Sequence, residues 1–472
     1  MNNMLLHRRP ARSASVALAL TLLSGCASVQ ADRGFANVSN LVEPHVGQRP
    51  AWIRTAQERT ELQRTLDDLR AKPLGVDEAT SYALLNNRSL QSAYAELGLV
   101  AAEVAQASRL PNPGFAYKRL SGSGGDLEIE RQFSLNVLGV LTLPIAASIE
   151  RRRFDQGQLR AANEVVAFVA DVRKAWYRAV AAQQAAAYAE QVREAAELRA
   201  EFARRLRAAG NWSALDQARQ HALYAEIVAR VARARLVAAS ERERLARLLG
   251  AWGEGLAFTL PDKLPDLPGE PREFGELEAQ AIADRFDLRM GKAELEGLAR
   301  ALGLTSATRF VNVLEASYFR NTNSGQSRQT GYEISLEIPL FDWGDAKVAR
   351  AEYTYMQAAD RLAALAVKAR SEVRESYLAY RTSYDVAKHF RDEVLPLRRH
   401  IAEEVTLRFN GMLISVFELL ADTREQIASV IAALEAQREF WIAETTLRFV
   451  AVADMGDTGR EMPSLGLSLS SD

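Results

Sequence analysis

The chain has 472 residues, 48% of them hydrophobic and 25% charged, with a single Cys and a formal net charge of −1. That composition excludes a disordered chain, a collagen and a disulfide-stapled framework. Near-equal numbers of basic and acidic residues leave no global charge to recruit nucleic acid.

The N-terminus reads as an export signal. Arg8, Arg9 and Arg12 precede an apolar run from Ala14 to Leu23 that is too short to span a bilayer as a stable helix. The sole Cys follows in Leu23-Ser24-Gly25-Cys26, which resembles a bacterial lipobox. In that reading residues 1–25 are removed, Cys26 becomes the lipidated first residue, and Ala27 beside it permits sorting to the outer membrane. The alternative is an ordinary secreted protein cut after Val29-Gln30-Ala31. Several acyl chains at about 0.8 kcal/mol per buried CH₂ would hold the protein to a membrane. No later stretch is long and apolar enough for a spanning helix, but a β-barrel hides its lipid face in alternation.

Residues 26–73 read as a mostly extended lead-in with one polar helix near Ile53 to Arg70. A helical stretch from Val76 to Leu110 comes next. Phe115 to Leu120 then form a strand before the turn Ser121-Gly122-Ser123-Gly124-Gly125. In the returning strand Leu127, Ile129, Phe133 and Leu135 alternate with Glu128, Glu130, Gln132 and Ser134. Period-2 patterning with acids on one face fits a barrel wall, and fits equally a sheet packed on a protein core.

Residues 158–209 are 52 positions without Gly or Pro, and 211–249 are another 39. A 52-residue helix is about 78 Å long, more than a compact domain needs. Eighteen alanines among residues 161–209 favour helix and close lateral packing. Residues 250–275 hold five Gly and four Pro and read as a linker or irregular belt. The pattern then repeats. After a helical stretch from Leu277 to Gly303, Phe310 to Arg320 form a strand whose Val311, Val313 and Leu314 suggest a bulge. In the next strand Tyr332, Ile334, Leu336, Ile338 and Leu340 alternate with Glu333, Ser335 and Glu337. Residues 345–395 and 412–455 again lack Gly and Pro, and Pro396 is expected to kink or restart its helix.

The two halves therefore read as a duplication. Tyr177 aligns with Tyr377, Gly210 with Gly411, Ser213 with Ser415 and Asp216 with Glu418, while Pro144 pairs with Pro339 at a shorter offset. Repeat 1 covers about 74–250, with its hairpin at about 113–137 and long helices at about 147–249. Residues 251–275 form the linker. Repeat 2 covers 276–455, with its hairpin at about 308–341 and helices at about 345–455, and residues 456–472 form a tail. Each chain supplies only four strands. Four strands cannot close, and an open edge in lipid is forbidden, so a spanning barrel needs several protomers.

Ile338-Pro339-Leu340-Phe341-Asp342-Trp343-Gly344 ahead of a long helix, and Arg408-Phe409-Asn410-Gly411 followed by Ser415-Val416-Phe417-Glu418-Leu419-Leu420, complete a pattern covering about residues 74–452. With the lipobox and the duplication, it resembles the TolC-type outer-membrane efflux factors. Leu143-Pro144-Ile145-Ala146-Ala147 in the first half departs from it, lacking the Phe-Asp-x-Gly ending. The resemblance implies an α+β membrane protein. Its homotrimer would form a twelve-stranded β-barrel in the outer membrane continuing into a twelve-helix periplasmic tunnel. It also implies a passive exit duct fed by an inner-membrane pump through a periplasmic adaptor. Acids at the barrel-lumen positions Glu128, Glu130, Glu333 and Glu337 would favour cations or basic drugs. Gate acids of that family lie in the stretch corresponding to Glu418 through Asp422, and Asp216 stands opposite Glu418 in the first half. For all three residues the competing reading is a solvated face.

Enzymatic readings have little support. His45, His221, His389 and His400 show no metal-ligand spacing, and there is no phosphate loop or nucleophile elbow. No catalytic residue, metal or cofactor is expected. The alternative to a duct is a lipid-anchored periplasmic coiled-coil scaffold or adaptor without a pore.

Overall fold

A computed structural model describes residues 34–311, 313–337 and 339–456; Cys26 and Ile338 lie outside them. Eleven α-helices and four strands occur among the described residues. Helices α1 (Phe35–Val46), α2 (Ala56–Arg70), α3 (Val76–Asn86) and α4 (Arg88–Ala107) precede strands β1 (Gly114–Ser121) and β2 (Leu127–Asn136). The long helices α5 (Val137–Ala208) and α6 (Ala214–Leu249) complete the first half. The second half repeats the order with α7 (Leu277–Asp284), α8 (Phe286–Thr308), β3 (Leu314–Asn323), β4 (Gln329–Leu336), α9 (Asp345–His389), α10 (Leu395–Asn410) and α11 (Val416–Val450). No helix among the described residues is long and apolar enough to cross a membrane.

The chain clusters into two compact units. One takes Ala95–Gln158 and Met290–Leu362; the other takes Asn37–Tyr94, Leu159–Arg289 and the chain from Ala363 onward. The first unit holds an antiparallel sheet in the order β1-β2-β3-β4. Pairing is continuous from Leu314↔Leu336 to Asn321↔Gln329, so β3 starts at Leu314 and has no bulge within its paired length. Asn136 and Leu336 close the second strand of each half, 200 positions apart, the same offset as Tyr177 and Tyr377. Pro144 and Pro339 are therefore not equivalent. Pro144 sits inside α5, which begins at Val137 rather than near 147; Asn136 Oδ1 accepts the Gly139 amide at 2.8 Å and caps that start. In the second half an irregular segment separates strand from helix. The Gly344 amide donates to Asp342 Oδ1 at 2.9 Å, with Gly344 at φ 74°. A Cβ there would lie 2.8 Å from the Arg309 carbonyl oxygen, so the Phe-Asp-x-Gly ending serves a turn the first half does not make.

The second unit carries the main core. Leu74, Tyr82, Val172, Trp176, Leu245 and Leu249 pack together with Phe258, Leu260 and Leu264 of the belt. Trp176 Nε1 donates to the Leu74 carbonyl at 2.8 Å, and Tyr177 stacks on Trp441 with centroids 5.4 Å apart. The Gly- and Pro-rich belt is held by helix side chains: the Tyr384 hydroxyl donates to Gly269 O at 2.8 Å and Trp441 Nε1 to Pro265 O at 3.0 Å. Residues 35–46, expected to be extended, are helical because Val38, Val42 and Val46 recur every fourth residue and are all buried. Pro396 restarts the helix as expected. Lacking an N–H, it leaves a carbonyl one turn back unserved, and Phe390–Val394 widen into a π turn.

Both halves fold a short helix pair against the end of a long helix, through kinks of like backbone at Asn87 (φ −69°, ψ 120°) and Arg285 (φ −57°, ψ 128°). Asn87 Nδ2 donates to Leu248 O at 2.9 Å, while Asn86 Nδ2 donates to Leu249 O at 3.0 Å and Gly250 O at 2.8 Å. Arg285, 0% exposed, donates to Val450 O at 3.2 Å, to Asp287 at 2.7 and 3.0 Å and to Glu372 at 2.8 Å. Asp454 lies 3.8 Å from the same guanidinium, with Lys368 3.3 Å from Asp454. Burial opposes the Arg285 charge, but Asp287 and Glu372 outweigh it and raise its pKa. For Asp454 burial works to raise the pKa, yet the Gly456 amide, Lys368 and Arg285 together hold it below the usual carboxylate value.

Candidate functional site

In an antiparallel sheet, directly opposed residues share a face, so the register fixes both faces of this one. The pairings Lys118↔Glu130↔Asn321, Leu120↔Glu128↔Asn323 and Ser317↔Glu333 place Glu128, Glu130 and Glu333 on one face. Glu315 joins them through Asn136↔Glu315. Sequence reasoning missed Glu315 because β3 alternates poorly by itself; its register against β2 is what assigns it. Lys118 Nζ lies 3.7 Å from Glu130 on this face. Glu337 falls one residue beyond β4, where its amide donates to Val313 O at 3.4 Å.

The opposite face is apolar over most of its height and exposed. Three rows cross the sheet from the helical end towards the hairpin turns. Leu135, Ala316 and Ile334 form the first; Phe115, Phe133, Tyr318 and Tyr332 the second; Tyr117, Arg131, Arg320 and Thr330 the third. Phe133 is 53% exposed, Ile334 68% and Tyr332 84%. Leaving such side chains in water forfeits roughly 1.5–3 kcal/mol each. Within the chain β1 and β4 each pair on one side only.

The chain turns twice between its long helices, after α5 and after α10. Ser213 caps α6, accepting the Asp216 amide at 3.0 Å and donating to Asp216 Oδ2 at 2.6 Å. Ser415 caps α11 in the same way, with Glu418 Oε1 at 3.3 Å. Asp216 and Glu418 thus occupy equivalent third positions of their helices, and both carboxylates serve the cap. Asp216 also lies 3.7 Å from Arg219, whose guanidinium sits 5.8 Å from the Phe417 ring centre. Asp422, one turn beyond Glu418, is half-buried.

These turns correct the glycine alignment. Asn211 N donates to Leu206 O and Gly210 N to Arg207 O; Leu413 N donates to Arg408 O and Met412 N to Phe409 O. Every partner is shifted by 202 positions, so the counterpart of Gly210 (φ 80°) is Met412 (φ 58°), not Gly411 at φ −79°. A helix-terminating left-handed residue is usually Gly, and here one copy uses Met. Among the described residues no group of His, Cys, Asp and Glu is placed to hold a metal ion.

No protein-family model and no curated protein matches the sequence. Solved structures do share the fold. The CmeC outer membrane channel of Campylobacter jejuni aligns with a TM-score of 0.69 at 13% identity, covering 89% of this chain and 92% of that one. The outer membrane protein VceC of Vibrio cholerae gives 0.67 at 16% identity, over 85% of this chain and 100% of that one. The open state of the MtrE outer membrane channel of Neisseria gonorrhoeae gives 0.64 at 16%, over 84% and 89%.

Proposed function

We propose that this chain, which has the fold of those outer-membrane channels, is one protomer of a trimeric exit duct in the outer membrane. The observation that carries the reading is the sheet: an exposed apolar face, an acidic opposite face and two edges with no partner in the chain. In lipid such a sheet is stable only when closed. Three copies supply twelve strands and close a barrel of ordinary membrane size, apolar face to lipid and Glu128, Glu130, Glu315 and Glu333 to the lumen, with Glu337 at its lower rim. The twelve long helical arms continue the passage into the periplasm, where an adaptor and an inner-membrane pump deliver the cargo. The duct itself is passive and has no catalytic role. Cys26, lipidated, tethers the N-terminus to the membrane the barrel spans.

Threefold symmetry turns Asp216, Glu418 and Asp422 into rings of like charge at the periplasmic turns, which would attract cations to the entrance. Because Glu418 also serves its helix cap, the informative variant is Glu418→Gln with Asp422→Asn, which keeps the cap bonds and removes the charge. Purified protein in a planar bilayer should show discrete conductance steps with cation preference, and the double variant should show reduced preference at unchanged trimer yield. A folded wild type that never conducts would leave the scaffold reading in its place.

A further inference from the structure

We propose that the lipid-facing side of the sheet carries a binding site for phosphorylated lipid headgroups of the outer leaflet, built from Arg119, Arg131 and Arg320. The inference rests on the barrel reading, which turns this face to lipid. Arg131 and Arg320 are directly opposed across β2 and β3, and Arg119, opposite Ile129, is the diagonal neighbour of Arg131. Like charges directly opposed in a sheet destabilise it, and a guanidinium cannot shed its proton. No acidic residue of the four strands shares this face; the sheet's acids are all on the other one, where Lys118 has Glu130 for a partner. Arg131 lies 5.9 Å from the Tyr117 ring centre, and Arg320 Nε is buried with no hydrogen-bond acceptor. The cluster therefore holds three fixed charges and at least one unused donor, with no anion of the sheet to answer them.

Its height on the wall identifies the anion. The arginine row lies about 7 Å beyond the aromatic row, towards the hairpin turns, and the aliphatic row lies about 7 Å on the other side. Aliphatic, aromatic, then cationic is the order in which a bilayer presents acyl chains, interface and headgroups. The helices leave the opposite end of the strands, so the turns face the cell surface and the arginines meet the outer leaflet. A guanidinium fork binds two oxygens of a phosphate at once, a geometry a lysine cannot supply.

The test uses the full-length trimer reconstituted with lipid A carrying its phosphates, or with the same lipid dephosphorylated, and counts retained lipid by native mass spectrometry after detergent extraction. Wild type should retain the phosphorylated lipid. The variant Arg119→Gln/Arg131→Gln/Arg320→Gln should retain at least fivefold less, and the dephosphorylated lipid should lower wild type to the same level. Lys118→Gln, on the lumen side, should change nothing, and an excess of inorganic phosphate should not displace bound lipid. The triple Lys variant, with charge but no fork, should fall between wild type and the Gln variant and serves if that variant does not assemble. Equal retention by wild type and variant, or equal retention of both lipids, would overturn the site. Conductance in a bilayer without lipid A separates the two claims: a conducting Gln variant that has lost lipid supports both. A wild type that holds lipid but never conducts would contradict the duct and uphold the site.

Discussion

The two kinks at Asn87 and Arg285 do the same mechanical work by different chemistry. Each receives the end of a long helix, one with a neutral amide, the other with a buried guanidinium. An amide can meet a carbonyl and needs nothing more. A buried charge needs compensation, and Asp287, Glu372 and Asp454 stand around Arg285 where Asn87 has only carbonyls and amides. Duplication preserved the backbone path and let the electrostatics diverge, so the second kink carries a sensitivity to charge that the first lacks.

The largest effect should follow from breaking the charged kink. Arg285→Met leaves Asp287, 7% exposed, without its partner and should lower stability by about 3–5 kcal/mol. Pairing it with Asp287→Leu removes the orphaned charge and should recover a substantial part, read from thermal unfolding of the detergent-solubilised protein. Asn87→Ala should cost less, about 1–3 kcal/mol, because one neutral hydrogen-bonded group is lost and the carbonyls are left short of donors. If the two kinks proved equally sensitive, the contrast drawn between them would fail.

Acid should find only one of them. The folded pKa of Asp454 lies below its unfolded value, so its stabilising contribution is fully present above the unfolded value and is lost as pH falls through the folded one. Unfolding scans should therefore show a loss of stability below about pH 4. Asp454→Asn should flatten that acid limb, and Asn87→Ala should leave its shape unchanged.

The smallest effect lies at the turns between the long helices. Met412→Gly removes the steric penalty of a left-handed residue and should stabilise by about 1 kcal/mol, while Gly210→Ala should destabilise by a similar amount. Opposite signs at the two sites would confirm that these residues, and not the two glycines, are equivalent.

The alternation of Leu127 to Leu135 and of Tyr332 to Leu336 was legible in the sequence because a period of two is local information. The pairing of β2 with β3 joins residues almost 200 positions apart and is invisible to any window, which hid both Glu315 and the opposed arginines. Glycine and proline misled in both alignments: Gly411 sits beside the left-handed residue, and Pro144 fits inside a helix whose start is capped by Asn136. Arg285 attracted no notice, since an arginine between two aspartates reads as solvated charge until its burial is known. Asp216, Glu418 and Asp422 drew notice in the sequence as acids just past two helix breaks, but only the structure shows that Asp216 and Glu418 also bond to the serines that cap their own helices.

The central claim is that β1 of one chain pairs with β4 of the next and that the ring closes at three. With Cys26 replaced by Ala, Ala116→Cys on β1 can be combined in turn with Gly331→Cys, Glu333→Cys or Ser335→Cys on β4. All four positions lie on the acidic face of the sheet. Mild oxidation in membranes should give, for at least one pairing, a covalent species of three chains and nothing larger on a denaturing gel. A ladder extending past three would describe an open polymer, and chains that stay single at every pairing would contradict the shared barrel.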